Sequence, residues 1–177
     1  MVKLKLNNNF VVKKNKLKFK IRPINQDDRE WVRKFTIKNW GSEKVIAHRQ
    51  IFYPHKLPGV VAVKENRYLG LVTYKIGKNN LEIISMNAVI HNKGIGTALL
   101  RTVEKVGQKL KLKKIRLITT NDNVDALRFY QKRGFSIVAI HRNALEFSRK
   151  LKPEIPLIGN YGIPLRDEIE LEKLSLN

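Results

Sequence analysis

Two glycines, Gly94 and Gly96, stand where a strand-like segment gives way to a helix-like one. Residues 81–89 are mostly apolar. The segment after them carries apolar side chains at helical spacing: Ile95, Leu99, Val103, Val106 and Leu110. A glycine loop between a strand and a helix N-terminus brings free backbone amides and the positive end of the helix dipole close to an anion. The spacing therefore indicates a phosphate site, although the same spacing also occurs in plain tight turns.

A second segment makes this general signal specific. Residues 123–135 read Asn-Val-Asp-Ala-Leu-Arg-Phe-Tyr-Gln-Lys-Arg-Gly-Phe and follow another strand-like run at residues 115–120. Together the two segments resemble motifs A and B of the GNAT family of acetyl-CoA-dependent N-acetyltransferases. Motif B, Asn-x-x-Ala-x-x-Phe-Tyr-x-x-x-Gly-Phe, is complete here, and motif A, roughly Gln/Arg-x-x-Gly-x-Gly/Ala, falls on residues 91–96. His91 and Asn92 depart from motif A, where Gln or Arg and a first glycine are common.

The resemblance spans residues 20 to about 142 and implies the fold of acyl-CoA N-acyltransferases. That fold is α/β, with a mixed, mostly antiparallel twisted sheet flanked by helices and two splayed central strands. The periodicity of the chain agrees with it, because an antiparallel meander is followed by strand-helix units. A first strand near residues 18–23, a helix from about Asp28 to Trp40, a second short helix after Gly41 and a last strand over residues 166–174 are predicted.

The resemblance also implies acetyl-CoA as the acetyl donor. The phosphates would lie on the backbone of the glycine loop, and the thioester carbonyl would be polarised by amides near the end of the preceding strand. Motif B would complete the contacts. The cofactor residues implied in this way are Ala88, Val89, Lys93, Gly94, Ile95, Gly96, Thr97, Asn123, Ala126 and Tyr130. Asn123 is in addition a suitable N-cap for the motif B helix.

Tyr130 occupies the position of the general acid in motif B. A phenol has a pKa near 10 and a thiol near 8.5, so a tyrosine keeps its proton at neutral pH and is able to donate it to a departing thiolate. The alternative is that Tyr130 and Phe129 are both core aromatics.

Glu82 is the candidate general base, because it lies on the strand that leads to the thioester site. The alternative is an ordinary outward-facing strand glutamate. A carboxylate is a weak base for an amine unless burial raises its pKa or a water molecule relays the proton. Strand parity puts Ser85 and Asn87 on the face opposite Glu82 unless a bulge intervenes.

The absence of cysteine from the sequence excludes disulfides, a thiol nucleophile and cysteine-ligated metals. The four histidines, His48, His55, His91 and His141, are scattered and lack metal-ligand spacing, so no metal is predicted. No membrane-length apolar run or secretory pattern is present, which favours a cytoplasmic protein without membrane partners.

The formal net charge is +21 and the pI is about 10.3, which attracts polyanions. The alternative is a general lysine bias of the composition. We interpret residues 1–17 as a basic N-terminal extension, either an added strand or a disordered tail, and residues 18–177 as a single domain.

The leading hypothesis is an N-acetyltransferase that joins acetyl-CoA and a primary amine in a ternary complex. The acceptor would be a small molecule or a peptide, and the protein a monomer or homodimer. Two other hypotheses stay open: a catalytically silent acetyl-CoA-binding module, and a nucleic-acid-associated protein that uses its basic surface.

Overall fold

Seven strands of the chain pair into one mixed sheet in the computed structural model, which describes residues 17–174. In chain order the strands are β1 (Lys20–Pro23), β2 (Val45–Ala47), β3 (Gln50–Phe52), β4 (Gly59–Lys64), β5 (Arg67–Ile76), β6 (Asn80–Ala88), β7 (Lys114–Thr120), β8 (Ser136–His141) and β9 (Glu168–Leu174). The large sheet has the order β1-β4-β5-β6-β7-β9-β8, and β2 pairs with β3 as a separate hairpin. Only the β6–β7 pair of the large sheet is parallel.

Four helices accompany the sheet, namely α1 (Arg29–Trp40), α2 (Ile95–Lys109), α3 (Val124–Gln131) and α4 (Ala144–Leu151). Gly41 ends α1 in the left-handed region at a φ of 73°, and its amide donates to the carbonyl of Ile37. The bounds of β1, α1, β6, β7 and β9 agree with the predicted elements to within about two residues, which is the usual uncertainty of element ends.

The helices cover the two faces of the sheet. On one face, α2 buries Ile95, Leu99, Leu100 and Val103, each at most 1% exposed, in the main core. On the other face, Val32 of α1 packs against the sheet. Since successive residues of a strand point to opposite faces, one side chain packs in the α2 layer and the next packs in the α1 layer. The result is the predicted α/β architecture, although Leu110 lies beyond the end of α2 and is 47% exposed instead of extending its buried stripe.

The sheet opens between β6 and β7. Their parallel pairing covers only residues 80–83 of β6 and 114–117 of β7. Beyond that point β6 stays paired with β5 as far as Ala88, and β7 stays paired with β9 as far as Thr120. The two central strands therefore diverge, as the predicted splay required.

A bulge in β6 changes which side chains share a face. Thr73 of β5 pairs with Ser85, and the next β5 residue, Tyr74, pairs with Ile83, so Ile84 is one residue in excess. Directly paired residues share a face, so Glu82 lies on the face of Lys75, and Ser85 lies on the face of Thr73. Lys75 stands two residues after Thr73 on β5, so these two residues point to the same face. Glu82 and Ser85 consequently lie on the same face, and the simple parity prediction fails because the bulge intervenes.

The segment after α1 corrects a second expectation. The predicted short helix is absent there, and residues 45–52 form the β2–β3 hairpin. The β-branched residues Val45, Ile46 and Ile51 favour strands over a helix. The turn places both His48 and Arg49 at positive φ, 49° and 60°.

The predicted basic extension, residues 1–17, lies outside the described residues apart from Leu17, which packs against the main core. No helix among residues 17–174 combines the length and apolar character that a bilayer crossing requires.

Candidate active site

The glycine loop forms the N-terminus of α2. Gly94 is the N-cap residue, with a φ of 80° that glycine adopts without strain. The first intrahelical bond runs from the Ala98 amide to the Gly94 carbonyl, 3.0 Å. The amides of Ile95, Gly96 and Thr97 precede that bond, so they have no intrahelical acceptor. The loop therefore offers three converging donors and a helix dipole to an anion, as the spacing predicted.

The second glycine of the loop faces α3. A Cβ atom on Gly96 would lie 3.4 Å from the ring of Phe129. The guanidinium of Arg133 lies 3.6 Å from the centre of the same ring and donates to Thr97 Oγ1 at 2.6 Å. Motifs A and B are thus in direct contact. Arg133, a cation beside the glycine loop, was not among the predicted site residues.

The open end of β6 supplies the amides that face the splay. The Val89 amide donates to the Leu69 carbonyl at 2.8 Å, so it points toward β5. Because amides alternate in direction along a strand, the Ala88 amide points away from β5, toward the gap. Of Ala88 and Val89, the two residues at the end of this strand that are predicted to contact the cofactor, Ala88 has its backbone donor on the side of the gap.

Tyr130 lies at the bottom of this gap. Its side chain is 6% exposed, it packs edge-on against Phe129 and Phe135, and its hydroxyl donates to the sulfur of Met86 at 3.9 Å. Burial raises the pKa of the Tyr130 phenol well above its usual 10. Tyr130 is therefore both a core aromatic and a protonated donor at the edge of the cleft, so the two interpretations of the sequence do not exclude each other.

Asn123 caps α3 as predicted. Its Oδ1 accepts a hydrogen bond from the Ala126 amide at 3.2 Å. Both residues also line the cleft, on the same side as Tyr130.

The splay leads into an open cleft of about 680 Å³. Its floor comes from the ends of β6 and β7, and its outer walls come from the end of α1, the β2–β3 hairpin and the segment after α4. Residues from these parts include Trp40, Ala47, Ser85, Met86, Thr119 and Ile155. The cleft thus runs from the splay to the α1 side of the sheet, and the part on the α1 side forms its second chamber.

Two buried polar residues build the wall of the second chamber, and the sequence did not indicate either. Lys152 is 5% exposed, and its ammonium donates to the carbonyls of Trp40 at 2.5 Å and Lys44 at 3.1 Å. Burial lowers the pKa of Lys152 below its usual value. Asp122 is 3% exposed and accepts from the amide and the side chain of Asn160 at 2.8 and 2.6 Å. These contacts hold the proline-punctuated segment, residues 152–164, to the end of α1 and to the loop after β7.

Glu82 has a different environment from that expected of a free base. It is 4% exposed, so it is not an outward-facing glutamate. Arg116 donates to Oε2 at 2.9 Å, and His48 Nε2 lies 3.2 Å from Oε1. Burial by itself raises the pKa of Glu82, but the contacts with His48 and Arg116 outweigh it, and the pKa is lowered. The carboxylate is not part of the lining of the cleft.

The fold also brings two of the scattered histidines together. The ring centres of His48 and His141 are 5.9 Å apart, although 93 positions separate them in the chain. The positions of the two histidines in the sequence do not predict this pair, because one ring comes from the β2–β3 turn and the other from β8.

Comparison with known proteins agrees with this geometry. Residues 26–135 match the model of the Acetyltransferase (GNAT) family. A relative, the uncharacterized protein YdhI of Bacillus subtilis (strain 168), is 44% identical over 155 residues, which cover 87% of this chain and 97% of that protein.

Solved structures show the same fold. An IAA acetyltransferase from Bacillus cereus ATCC 14579 superposes with a TM-score of 0.70 at 25% identity, over 89% of this chain and 99% of its own. A GNAT family acetyltransferase from Elizabethkingia anophelis with acetyl-CoA bound superposes with a TM-score of 0.64 at 23% identity, over 88% and 97%.

Proposed function

The chain belongs to the acetyltransferase (GNAT) family, and from this premise we propose that it transfers the acetyl group of acetyl-CoA to a primary amine. The observation that carries the proposal is the alignment of three features along one path: the free amides at the start of α2, the splay between β6 and β7, and Tyr130 at its edge.

Acetyl-CoA would bind with its phosphates at the start of α2. The amides of Ile95, Gly96 and Thr97 would donate to them, with Lys93 in the same loop and Arg133 beside it adding positive charge. The pantetheine arm would enter the splay, where the Ala88 amide would donate to the thioester carbonyl oxygen. A donor of this kind stabilises the developing oxyanion by roughly 3 to 4 kcal/mol.

The reaction would be a direct attack. The amine nitrogen forms a bond to the acetyl carbon and gives up one proton to a base or to water, and the bond between that carbon and sulfur breaks. The leaving thiolate takes the proton of the Tyr130 hydroxyl, and a proton from solvent restores the phenol. No acetyl-cysteine intermediate forms, because the sequence contains no cysteine. Burial keeps the Tyr130 phenol neutral, so its hydroxyl is present as a donor when the thiolate develops.

The assignment of Glu82 as general base stays a prediction. Its ion pairs with Arg116 and His48 keep it ionised, but they also occupy both of its oxygens. A Glu82→Gln variant that keeps acetyl-CoA affinity and loses kcat would support a role in proton removal. A Glu82→Gln variant with an unchanged kcat would remove it from the mechanism.

The acceptor would enter from the chamber on the α1 side of the sheet. That chamber is open and is lined by residues of α1, the β2–β3 hairpin and the segment after α4, so a small molecule or a peptide amine is the expected acceptor class. A role for the basic surface in binding nucleic acid stays a separate prediction.

The test is a screen of purified full-length protein with acetyl-CoA and amines of four classes, namely amino acids, aminoglycosides, polyamines and peptides, with release of CoA thiol as the readout. Binding of acetyl-CoA is measured in parallel by calorimetry. Turnover with any amine supports the proposal. Acetyl-CoA binding without turnover across the whole panel would favour the silent binding module, and failure to bind acetyl-CoA would overturn the proposal altogether.

A further inference from the structure

Five side chains from five segments form a chain of charged and polar contacts on the α1 face of the sheet. His48 Nε2 lies 3.2 Å from Glu82 Oε1, and Glu82 Oε2 accepts from Arg116 at 2.9 Å. Arg116 lies 3.6 Å from Glu170 Oε1, and Glu170 Oε2 lies 3.1 Å from His141 Nε2. The rings of His48 and His141 also approach each other, so the five side chains form a closed ring of contacts. Each carboxylate therefore turns one oxygen to the arginine and the other to an imidazole.

The atoms on the imidazole side are the ones that metals bind. One ligand atom each from His48, His141 and Glu170 can be chosen so that all three lie within 4.8 Å of one another. Two imidazoles and a carboxylate are a ligand set of zinc and of related divalent ions. The three groups come from three separate segments, namely the β2–β3 turn, β8 and β9, and the fold brings them together.

A second observation concerns the polar atoms that face this cluster. Glu82 Oε1 and His48 Nε2 are buried and have no hydrogen bond of acceptable geometry in the described part of the chain, although they lie 3.2 Å apart. The Glu82 side chain is only 6% exposed. Because a buried polar atom without a well-aligned hydrogen bond is costly, His48 Nε2 would gain from binding an ion in addition to its misaligned ion pair with Glu82.

The charge around the cluster points the same way. Glu82, Glu168 and Glu170 lie close together on this face with little exposure, and Arg116 is the one arginine or lysine that forms ion pairs with any of them among residues 17–174. Glu168, which is 4% exposed, forms no ion pair there. Buried carboxylates require compensating positive charge, and a divalent cation supplies two such charges at one point.

We propose that His48, His141 and Glu170 bind one divalent transition-metal ion of the zinc type. Arg116, which lies 3.6 Å from the other oxygen of Glu170, orients that carboxylate toward the ion. The site joins the β2–β3 hairpin to the sheet, so the ion acts as a clamp on the hairpin. Because Ala47 of that hairpin lines the acceptor chamber, the clamp also fixes one wall of that chamber.

The backbone of the turn is consistent with a functional demand at this point. A two-residue hairpin turn with both residues at positive φ normally uses Asn-Gly or a similar pair, whereas here it is His48-Arg49. A side chain with a Cβ atom is strained in that region of φ. Binding of His48 to an ion would offset that strain.

The test uses the full-length protein after treatment with EDTA, titrated with ZnCl2 in a calorimeter. We expect one equivalent to bind and the melting temperature to rise. Replacement of Zn²⁺ by Co²⁺ should give visible absorption typical of nitrogen and oxygen ligands. The His141→Ala variant should bind the metal ion at least about tenfold more weakly and lose the absorption. Even the loss of a residue that only hydrogen-bonds to a metal ligand lowers metal affinity about 10- to 100-fold. The exposed His91→Ala is the matched control and should bind like the wild type.

His141 is the variant of choice because its side chain is 41% exposed, so its removal leaves the core intact. A Glu170→Gln variant provides the second arm if the first fails to fold. The proposal is overturned if the wild type binds no Zn²⁺, or if His141→Ala and His91→Ala bind it equally well, which would leave the two histidines as ion-pair partners of the glutamates. Neither readout depends on acetyl transfer.

Discussion

The hydroxyl of Tyr130 in α3 lies 3.9 Å from the sulfur of Met86, which stands on the part of β6 that β7 no longer pairs with. This contact puts the only hydroxyl of motif B at the mouth of the splay, where the thioester sulfur of acetyl-CoA would lie. A thioether accepts a hydrogen bond only weakly. The phenol is consequently held in position by its ring packing and is free to donate to a stronger acceptor such as a thiolate.

Tyr130→Phe should therefore lower kcat and leave acetyl-CoA binding unchanged. General acid catalysis typically contributes about 10²- to 10⁴-fold, and the ring packing against Phe129 and Phe135 is retained. Steady-state rates with an amine from the screen, together with calorimetry of acetyl-CoA, measure the two effects. Met86→Leu is the control that alters the same contact without removing the hydroxyl, and it should keep most of the rate. Equal kcat values for Tyr130→Phe and the wild type would exclude the tyrosine as the acid.

Gly96→Glu should abolish most of the affinity for acetyl-CoA. It places a carboxylate where the phosphates would meet the amides of α2, and two like charges about 4 Å apart repel by about 1 to 4 kcal/mol near a protein surface. The expected loss of affinity is roughly tenfold or more. Gly96→Ala is the matched control, because its Cβ atom would lie 3.4 Å from the Phe129 ring, which is an ordinary contact. Calorimetry measures the acetyl-CoA affinity of both variants. Equal affinities would mean that the phosphates bind elsewhere.

Asn123→Ala should destabilise the fold by about 1 kcal/mol, since it removes the oxygen that accepts from the Ala126 amide. Asn123→Ser retains a capping oxygen and should lose much less stability. Urea unfolding of the two variants measures the difference. If both variants lose acetyl-CoA affinity equally while only the alanine variant loses stability, the amide side chain contacts the cofactor in addition to its capping role.

The parts of the site that sequence predicted are those encoded by short-range spacing. Gly94 at the start of α2 and Asn123 at the start of α3 are local signals, because a cap depends on residues three or four positions away. The position of Tyr130 is also predictable from local spacing, since its place in α3 fixes the direction of its side chain relative to Asn123. Its packing in the core could not be predicted from the motif alone.

The missing parts depend on contacts between distant segments. Lys152 reaches carbonyls 112 and 108 positions away, and nothing distinguishes it from the other basic residues of a chain with 36 of them. The face of Glu82 depends on one excess residue, Ile84, that no periodicity reveals. The capping signal at Gly41 and Ser42 predicts a second helix, but the β-branched residues that follow favour strands and form the β2–β3 hairpin.

Asp28 gives the fold a defined sensitivity to acid. It is 1% exposed and accepts from two nitrogens of Arg22 at 2.6 and 2.8 Å, from the Asn25 amide at 2.8 Å and from the Tyr68 hydroxyl at 2.7 Å. The hydrogen bonds from Arg22, followed by those from Asn25 and Tyr68, outweigh burial and lower the pKa of Asp28 to about 2. This carboxylate thereby ties β1 and β5 to the start of α1.

The sign of the pH effect follows from that shift. The pKa of Asp28 is about 2 in the folded protein against an ordinary 3.8, so the unfolded chain binds the proton more readily. The stabilisation is complete above about pH 4 and is lost as the pH falls toward 2. Its size is roughly 2 kcal/mol, since one pKa unit corresponds to about 1.4 kcal/mol. Asp28→Asn should lower the free energy of unfolding at pH 7 by at least this amount and flatten its decline between pH 4 and pH 2. Asp27→Asn, an exposed neighbour, is the control, and chemical unfolding across that pH range would contradict the assignment if both variants kept the slope of the wild type.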